Sequence, residues 1–200
     1  MAKTESEAKV VQYLSEAYSK EKELETALQA HIALTTRATY KKRLQQHLQE
    51  TRRHGRDVER RIKQLGGNGT AELAATVQAT AAKALALAQG PLHAVRGTGE
   101  AERQLKNAKT EYANEAEEIA TYTAIEALAE SVGDRDTAQL ARAIRREEER
   151  MGSFLERLIP QLTRAVAQAE IPASQRRSTS RRRSNRGAAR GRRKASASSR

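Results

Sequence analysis

The chain has 200 residues, no cysteine, and a formal net charge of +12 from 37 Lys or Arg against 25 Asp or Glu. The lack of cysteine excludes disulfide bonds, thiolate metal sites and cysteine nucleophiles. Because no apolar run approaches the length of a membrane span and the first residues lack a signal-peptide hydrophobic region, we expect a cytoplasmic protein. Only three prolines and abundant Ala, Glu, Arg, Gln and Leu favour an all-α fold.

The first predicted helix runs from about Glu5 to Thr35, and apolar residues recur along it every three or four positions. Glu21 occupies a position in that apolar stripe, between Ala17 and Leu24. A carboxylate buried in an apolar face is costly unless it is paired or binds a metal. Glu21 is therefore a candidate for one of these two roles.

The second predicted helix runs from about Thr39 to Leu65. His47, Glu50 and His54 lie along one flank of its apolar face. Since Glu50 and His54 are four residues apart, their side chains can reach a common point. Histidines at the edge of an apolar stripe are more often ordinary packing residues than ligands, and His54 is the better ligand candidate of the two.

A long connection separates the second helix from the third. Gly66–Gly69 stop the second helix, and the Ala-rich stretch from Thr70 to about Gly90 predicts a short helix. The whole connection, Gly66–Gly99, is 34 residues long, which is more than a tight antiparallel turn needs. A long connection between the middle helices of a four-helix bundle is the ferritin-like crossover topology.

The third predicted helix runs from about Glu100 to Gly133 and also carries a glutamate in its apolar stripe. Glu115 falls within this stripe, and Glu118 lies three residues further on, beside it. The predicted inward-facing apolar residues are Leu105, Ala108, Tyr112, Ile119, Tyr122 and Ala129.

The fourth predicted helix runs from about Thr137 to Glu170. Glu147 and Glu148 flank the centre of its apolar stripe, and the pattern does not determine which of them faces the core. Pro160 predicts a kink or a local break in this helix.

The last thirty residues differ sharply from the rest of the chain. Eleven of the 37 Lys and Arg residues and no acidic residue lie in 171–200, which leaves 26 basic against 25 acidic residues in 1–170. High charge without hydrophobic periodicity predicts a disordered tail that binds DNA or RNA phosphates without reading sequence. Polyphosphate, acidic proteins or anionic membranes would attract it too. The predicted contact residues are Arg176, Arg177, Arg181, Arg182, Arg183, Arg186, Arg190, Arg192, Arg193 and Lys194.

Each long helix thus places a glutamate on or beside its inward face, and in a bundle these carboxylates can converge. Carboxylate oxygens with a histidine suit iron, manganese or zinc, and the known bundle pattern combines glutamates with Glu-x-x-His pairs. A simpler interpretation stays open, in which some of these glutamates extend to solvent or pair with Arg53, Arg145 or Arg146.

Four motifs resemble the bacterial YciE/YciF-type ferritin-like stress proteins. They are LSEAYSKEKELETAL (Leu14–Leu28), HLQETRRHGRDVERR (His47–Arg61), NEAEEIATYTAIEALAESVGD (Asn114–Asp134) and EEER in the fourth helix. The resemblance covers most of Val10–Glu170 and none of the tail. It implies a ferritin-like bundle, and it puts Glu21, Glu50, Glu115, Glu118 and one of Glu147 and Glu148 in the places of metal ligands.

We therefore interpret residues 1–170 as an all-α, ferritin-like four-helix bundle with a long crossover that contains a short Ala-rich helix, and residues 171–200 as a disordered basic tail. The predicted function is stress-associated binding of two iron or manganese ions, with non-specific nucleic-acid association through the tail, a dimeric state and a location at the nucleoid. The alternative is a non-enzymatic helical scaffold or dimerisation module whose tail binds DNA or RNA. No catalytic residue is assigned. The candidate metal ligands are Glu21, Glu50, His54, Glu115, Glu118, Glu147 and Glu148.

Overall fold

The computed structural model describes residues 4–67 and 99–176. Four long helices make up nearly all of this part: α1 (Glu5–Leu34), α2 (Ala38–Gln64), α3 (Glu100–Ser131) and α4 (Arg135–Glu170). No strand occurs within these two ranges, so the prediction of an all-α four-helix fold is confirmed. The predicted Ala-rich crossover helix lies outside the described residues, as does the tail beyond residue 176. Ala173–Gln175 form a short 3-10 turn after α4.

Local signals define where the helices begin and end. The Thr4 side chain accepts a hydrogen bond from the backbone N–H of Glu7 (3.1 Å), and the Glu7 carboxylate accepts one from the backbone N–H of Thr4 (2.9 Å). This reciprocal capping satisfies two N–H groups that lack partners within α1. Gly66 and Gly133 have φ of 70° and 75°, a conformation that favours glycine, and each lies two residues beyond the last residue of its helix.

An ion pair ties the end of α2 to the turn between α3 and α4. Asp134 caps α4 by accepting from the backbone N–H of Thr137 (3.0 Å), and the Arg61 guanidinium donates to the same carboxylate (2.6 Å). Arg61 also donates to the Thr137 hydroxyl (2.8 Å). Because hydrogen bonds to ionised groups are among the stronger ones in proteins, this contact helps to fix the position of α2 along the α3–α4 pair.

The helices pack as two antiparallel hairpins. α1 packs mainly on α2, α3 packs mainly on α4, and the hairpins join through α1–α3 and α2–α4 contacts. α4 continues unbroken through Pro160, so this proline does not end the helix. In the described residues no helix is long and apolar enough to span a membrane.

Two apolar clusters fill the ends of the bundle and leave a polar layer between them. The first includes Val10, Leu14, Val58, Ile62, Tyr122, Ile125 and Ile144. The second includes Leu28, Tyr40, Leu44, Met151, Leu155 and Leu162. Since α1 enters from the first cluster and leaves through the second, Glu21 lies at mid-height of the bundle. The other helices bring further polar residues to that same level.

The inward face of α3 differs from the prediction over its first half. Tyr112 was expected in the apolar stripe, but it is 40% exposed. Apart from the predicted Ala108, the buried positions in this half are polar: Gln104, Asn107, Glu111, Glu115 and Glu118. The expectation for Tyr112 was wrong because periodicity identifies an inward face only when that face is apolar.

Candidate metal centre

Six side chains of types that can bind a metal, from all four helices, are buried together in the polar layer. None is more than 1% exposed: Glu21 of α1, His47 and His54 of α2, Glu115 and Glu118 of α3, and Glu148 of α4. The spacing within each helix explains the convergence, because residues three, four or seven apart share one helix face. Burying so many ionisable groups in one layer is costly unless they are paired or bind cations.

These side chains form two groups that share Glu148. One group consists of His47, Glu115, Glu118 and Glu148, and the other of Glu21, His54 and Glu148. Within each group, one ligand atom per residue lies within 4.8 Å of all the others. Glu148 therefore lies where one carboxylate can bridge two neighbouring cations.

His47 is held between an outer and an inner carboxylate. Its Nδ1 lies 3.2 Å from Glu50, and its Nε2 lies 3.1 Å from Glu115 and 3.6 Å from Glu148. When Nδ1 donates to Glu50, the lone pair of Nε2 faces the centre of the bundle. An outer carboxylate that orients the imidazole in this way is a recurring feature of metal-ligating histidines.

His54 has the same arrangement through its other ring nitrogen. Its Nε2 lies 2.9 Å from Glu147, while its Nδ1 lies 2.9 Å from Glu148 and 3.5 Å from Glu21. Although Nδ1 is close to these carboxylates, no hydrogen bond of acceptable geometry satisfies it within the described residues. Nδ1 and the carboxylate oxygens instead converge on a shared point, as ligands of a cation do.

The carboxylates themselves are short of partners. Six of their oxygens are buried without a hydrogen bond in the described part of the chain: one each on Glu21 and Glu115, and both on Glu118 and Glu148. The second oxygen of Glu21 accepts from the Tyr122 hydroxyl (2.5 Å). Buried polar atoms normally have partners, so this concentration of unsatisfied oxygens fits a pair of bound cations.

In the metal-free protein, protons take the place of cations. Burial raises the pKa of Glu21 and Glu118, and it raises the pKa of Glu115 to about 8. Burial alone would lower the pKa of His54, but the carboxylates of Glu148 and Glu21 beside its Nδ1 raise it to about 10. Metals bind the deprotonated forms of these groups, so cations and protons compete for them.

The ligand inventory equals that of the known di-metal bundles, but its distribution differs. Those bundles use one Glu from each of two helices and a Glu-x-x-His pair from each of the others, which gives four Glu and two His. Here α2 supplies both histidines and α3 supplies two glutamates. Thr51 stands three residues before His54, where the pattern has Glu, and Met151 stands three residues after Glu148, where it has His.

The structure separates the predicted ligands into two sets. Glu21, His54, Glu115, Glu118 and Glu148 lie within the two groups. Glu50 and Glu147 lie outside them, and each contacts one histidine on the side away from the centre. Of the pair Glu147 and Glu148, Glu148 is the buried one.

The outer carboxylates are also held by basic residues. Although partial burial opposes it, hydrogen bonds from His47 and Arg43 lower the pKa of Glu50 to about 2. Glu147 pairs with Arg53 as well as His54. Glu50 was expected to meet His54, but it contacts His47 instead, three residues before it.

From the sequence, His47 ranked below His54 and was left out of the predicted ligands, and a further buried polar pair was not predicted. His31 of α1 contacts Glu111 of α3 within the core, 5% and 1% exposed respectively. The signal for His47 was its spacing of seven from His54, two helical turns on the same face. Of the predicted nucleic-acid contacts, Arg176 is the only one within the described residues.

Comparison with known proteins identifies the family. The model of a domain of unknown function, DUF892, matches residues 7–168. The chain belongs to the DUF892 family. No match was found among the curated proteins.

Solved structures similar to this DUF892 chain include that of a protein from Xanthomonas campestris pv. campestris, with 27% identity, a TM-score of 0.65 and coverage of 83% of this chain and 99% of that one. The E. coli stress protein YciF has 21% identity, a TM-score of 0.61 and coverage of 80% and 98%. YcfI, described as a putative structural protein from Rhodopseudomonas palustris, has 20% identity, a TM-score of 0.61 and coverage of 76% and 94%. The predicted YciF-type relationship is confirmed, and the last two structures show the shared fold.

Proposed function

We propose that this chain is a ferritin-like metal-binding protein that holds two adjacent iron or manganese ions in the middle of its bundle. The observation that carries the proposal is the set of six buried carboxylate oxygens without hydrogen-bond partners, two on Glu148 and four on the three other carboxylates around it. Carboxylate oxygens with imidazole nitrogens suit these metals. By analogy with the stress protein YciF, we propose a role under stress conditions.

Each side chain has a distinct part in this proposal. Glu118 and Glu115 would hold one ion with His47, Glu21 would hold the other with His54, and Glu148 would bridge them. When bound, a pair of redox-active ions would supply electrons to a small oxidant such as oxygen or peroxide. The apolar clusters above and below exclude bulk water, which strengthens the attraction between the carboxylates and the ions.

The test is the metal content of the full-length protein after equilibrium dialysis against Mn²⁺ or Fe²⁺ under anaerobic conditions. We expect about two ions per chain for the wild type. Because Glu148 belongs to both groups, Glu148→Gln should lose both ions. Glu149→Gln is the matched control, since Glu149 is the next residue on α4 but is 43% exposed and pairs with Arg145 at the surface. A wild-type protein that takes up neither metal would refute the proposal.

A second proposal concerns the tail, and it rests on charge segregation. All of the excess positive charge apart from a single unit lies in residues 171–200, and no acidic residue interrupts it. We propose that this tail binds DNA or RNA through phosphate contacts and associates the bundle with the nucleoid. With no aromatic residue in the tail to stack on bases, the binding should be independent of sequence.

Removal of Ile171–Arg200 tests the tail. Duplex DNA affinity of the full chain should fall steeply with salt, and the truncated chain should bind weakly at every salt concentration. Equal affinity of the two proteins would refute this role. If the bundle is only a dimerising scaffold for the tails, the wild type should bind no metal and retain its DNA affinity. Its molecular mass by light scattering should be that of a dimer.

A further inference from the structure

The two histidines of the centre flank a residue to which the proposed ligand set gives no role. Thr51 lies four residues after His47 and three before His54, so all three share one face of α2. The ring nitrogens of His47 and His54 approach Glu148 to 3.6 Å and 2.9 Å. The Thr51 side chain therefore lies between the two imidazoles, on the α2 side of the metal centre.

Thr51 is buried and its hydroxyl is unsatisfied. The residue is 1% exposed, and its Oγ1 has no hydrogen-bond partner among the described residues. Threonine within a helix commonly returns its hydroxyl to the carbonyl four residues earlier, as Thr26 and Thr35 do in α1 and just after it. The Thr51 hydroxyl makes no such bond, so it remains available to a group in the centre.

The position of Thr51 is the one where di-metal bundles place a carboxylate. In the Glu-x-x-His pair the glutamate lies three residues before the histidine, and here that residue is Thr51. A threonine is shorter than a glutamate and carries no charge. The α2 side of the centre therefore lacks a carboxylate, whereas Glu148 of α4 lies close to both histidines.

The ligand count leaves room on at least one ion. The group around His54 contains three protein ligands, whereas manganese and iron commonly take more than four. A site with an incomplete set of protein ligands keeps positions for a water molecule or a substrate. The four carboxylates balance the charge of two divalent ions, so the centre is not already anionic and can accept a small anion.

We propose that Thr51 marks an open position on the α2 side of the proposed metal centre, where a small exogenous anion such as hydroxide binds, and that the Thr51 hydroxyl donates a hydrogen bond to it. This inference rests on the proposed function, because the anion binds to the metal ions. It assigns to Thr51 the positioning of the anion and to the metal ions its charge stabilisation. Because a threonine stands where other di-metal bundles have a carboxylate, the group bound on this side of the centre can exchange with solvent.

The experiment uses the full-length chain loaded with Co²⁺, whose visible absorption reports on its ligands, and azide as the anion. Cobalt occupancy is measured first by equilibrium dialysis, and azide is then titrated into the wild type, Thr51→Val and Thr51→Ser. Since Val preserves the shape but not the donor, we expect Thr51→Val to weaken azide binding roughly tenfold. Thr51→Ser keeps the hydroxyl and should bind azide nearly as the wild type does.

Thr51→Glu provides a second and independent test. Its carboxylate restores the Glu-x-x-His spacing and should fill the open position, so the protein should bind cobalt but show no response to azide. If Thr51→Val does not fold, this variant decides the question. At full cobalt occupancy, equal azide affinity in wild type and Thr51→Val, an unchanged azide response in Thr51→Glu, or no azide response in the wild type would overturn the inference. A wild type that binds no cobalt would instead refute the metal centre itself.

Discussion

At the scale of single residues, the centre is organised by carboxylates that do not face it. Glu50 and Glu147 each contact the histidine ring nitrogen that points away from the buried carboxylates. Each is itself held by an arginine, Arg43 for Glu50 and Arg53 for Glu147. The outer carboxylates thus fix the rotation of each imidazole before any cation arrives, and they keep the proton on the outer nitrogen when the inner one is lost, which lowers the cost of assembling the site.

Glu50→Ala and Glu147→Ala should therefore weaken metal binding without removing an ion. Loss of an outer partner typically lowers metal affinity by about ten- to a hundredfold. Titration of Mn²⁺ followed by calorimetry should give weaker binding in each variant but still about two ions per chain at saturation. The control is Glu59→Ala, which removes a surface partner of Lys63 on the same helix. A drop to one ion would show that the mutated glutamate is itself a ligand.

The buried glutamates also make metal binding depend on pH. With a pKa of about 8, Glu115 is mostly protonated at pH 7, and His54, with a pKa of about 10, is protonated as well. A cation must displace these protons, so metal affinity should rise from pH 6 to pH 8, by about tenfold per pH unit for each proton released. Calorimetry in buffers of different ionisation enthalpy measures that proton release. Affinity that stays constant over this range would contradict the protonation states.

At the scale of helices, small residues let two helices approach the centre closely. Gly152 of α4 packs against Glu115 of α3, and a Cβ placed on it would lie 3.8 Å from the Glu115 Cβ and from Ile119. Gly55 of α2 faces Glu21 of α1 at the same distance. These glycines lie against α3 and α1 at the level of the buried carboxylates, where a large side chain would push the helices apart.

The size of the residue at position 152 should separate stability from metal binding. Gly152→Ala adds only an ordinary van der Waals contact and removes the helix cost of glycine, so the free energy of unfolding should rise by about 1 kcal/mol. Gly152→Leu overfills the same space and should displace Glu115, with a loss of metal affinity. Urea unfolding of the metal-free proteins and Mn²⁺ titration check the two effects. Destabilisation by alanine would show that the helices are packed more tightly than these distances indicate.

The helices could be predicted from the sequence because each has an apolar stripe, and Glu21 and Glu115 stood out as charges within such stripes. The centre could be predicted only in part. His47 and Glu50 both lie near the stripe edge of α2, and a difference of three residues decides which one faces inward. That choice depends on the rotation of α2 against α4, which tertiary packing sets and a single helix does not reveal.

The polar half of α3 shows the same limit for a whole face. Gln104 and Glu111 are buried because α1 and the residues just after it meet their polar groups. The Gln104 side chain donates to the backbone carbonyl of Leu34, and Glu111 contacts His31. Neither partner is near in sequence. Hydrophobic periodicity therefore assigned Tyr112 to the core, although the partners of α3 in space favour the polar residues around it.

At the scale of the whole molecule, the buried ionisable groups of the candidate centre lower the free energy of unfolding. Two apolar clusters stabilise the ends of the bundle, whereas the layer between them concentrates four carboxylates and two imidazoles. In the absence of metal, neutralisation by protons is what makes this layer tolerable. The stability of the bundle should therefore change with pH in the direction opposite to that of proteins stabilised by surface carboxylates.

The pKa shifts of the buried groups determine whether stability rises or falls with pH. The pKa values of Glu21, Glu115, Glu118, His47 and His54 are all raised in the folded protein. The folded chain thus holds more protons than the unfolded chain above about pH 4.5, where carboxyl groups of the unfolded chain begin to ionise. Their contribution to stability is fully present below that pH. It is lost progressively as the pH rises through the folded values, at about 1.4 kcal/mol per pH unit for each extra proton held. Glu148, whose pKa is lowered by His54 and His47, acts in the opposite sense only below about pH 4.5.

The metal-free protein should therefore melt at a lower temperature at pH 9 than at pH 6, by about 2–4 °C for each kcal/mol lost. Saturating Mn²⁺ should reverse this trend, because the ions bind the deprotonated folded form and their affinity increases as the protons leave. Glu115→Gln removes one titrating group and should flatten the metal-free profile. Calorimetric melting at both pH values, with and without Mn²⁺, measures all three effects. A metal-free protein that becomes more stable from pH 6 to pH 9 would mean that the buried layer is already ionised and balanced without cations.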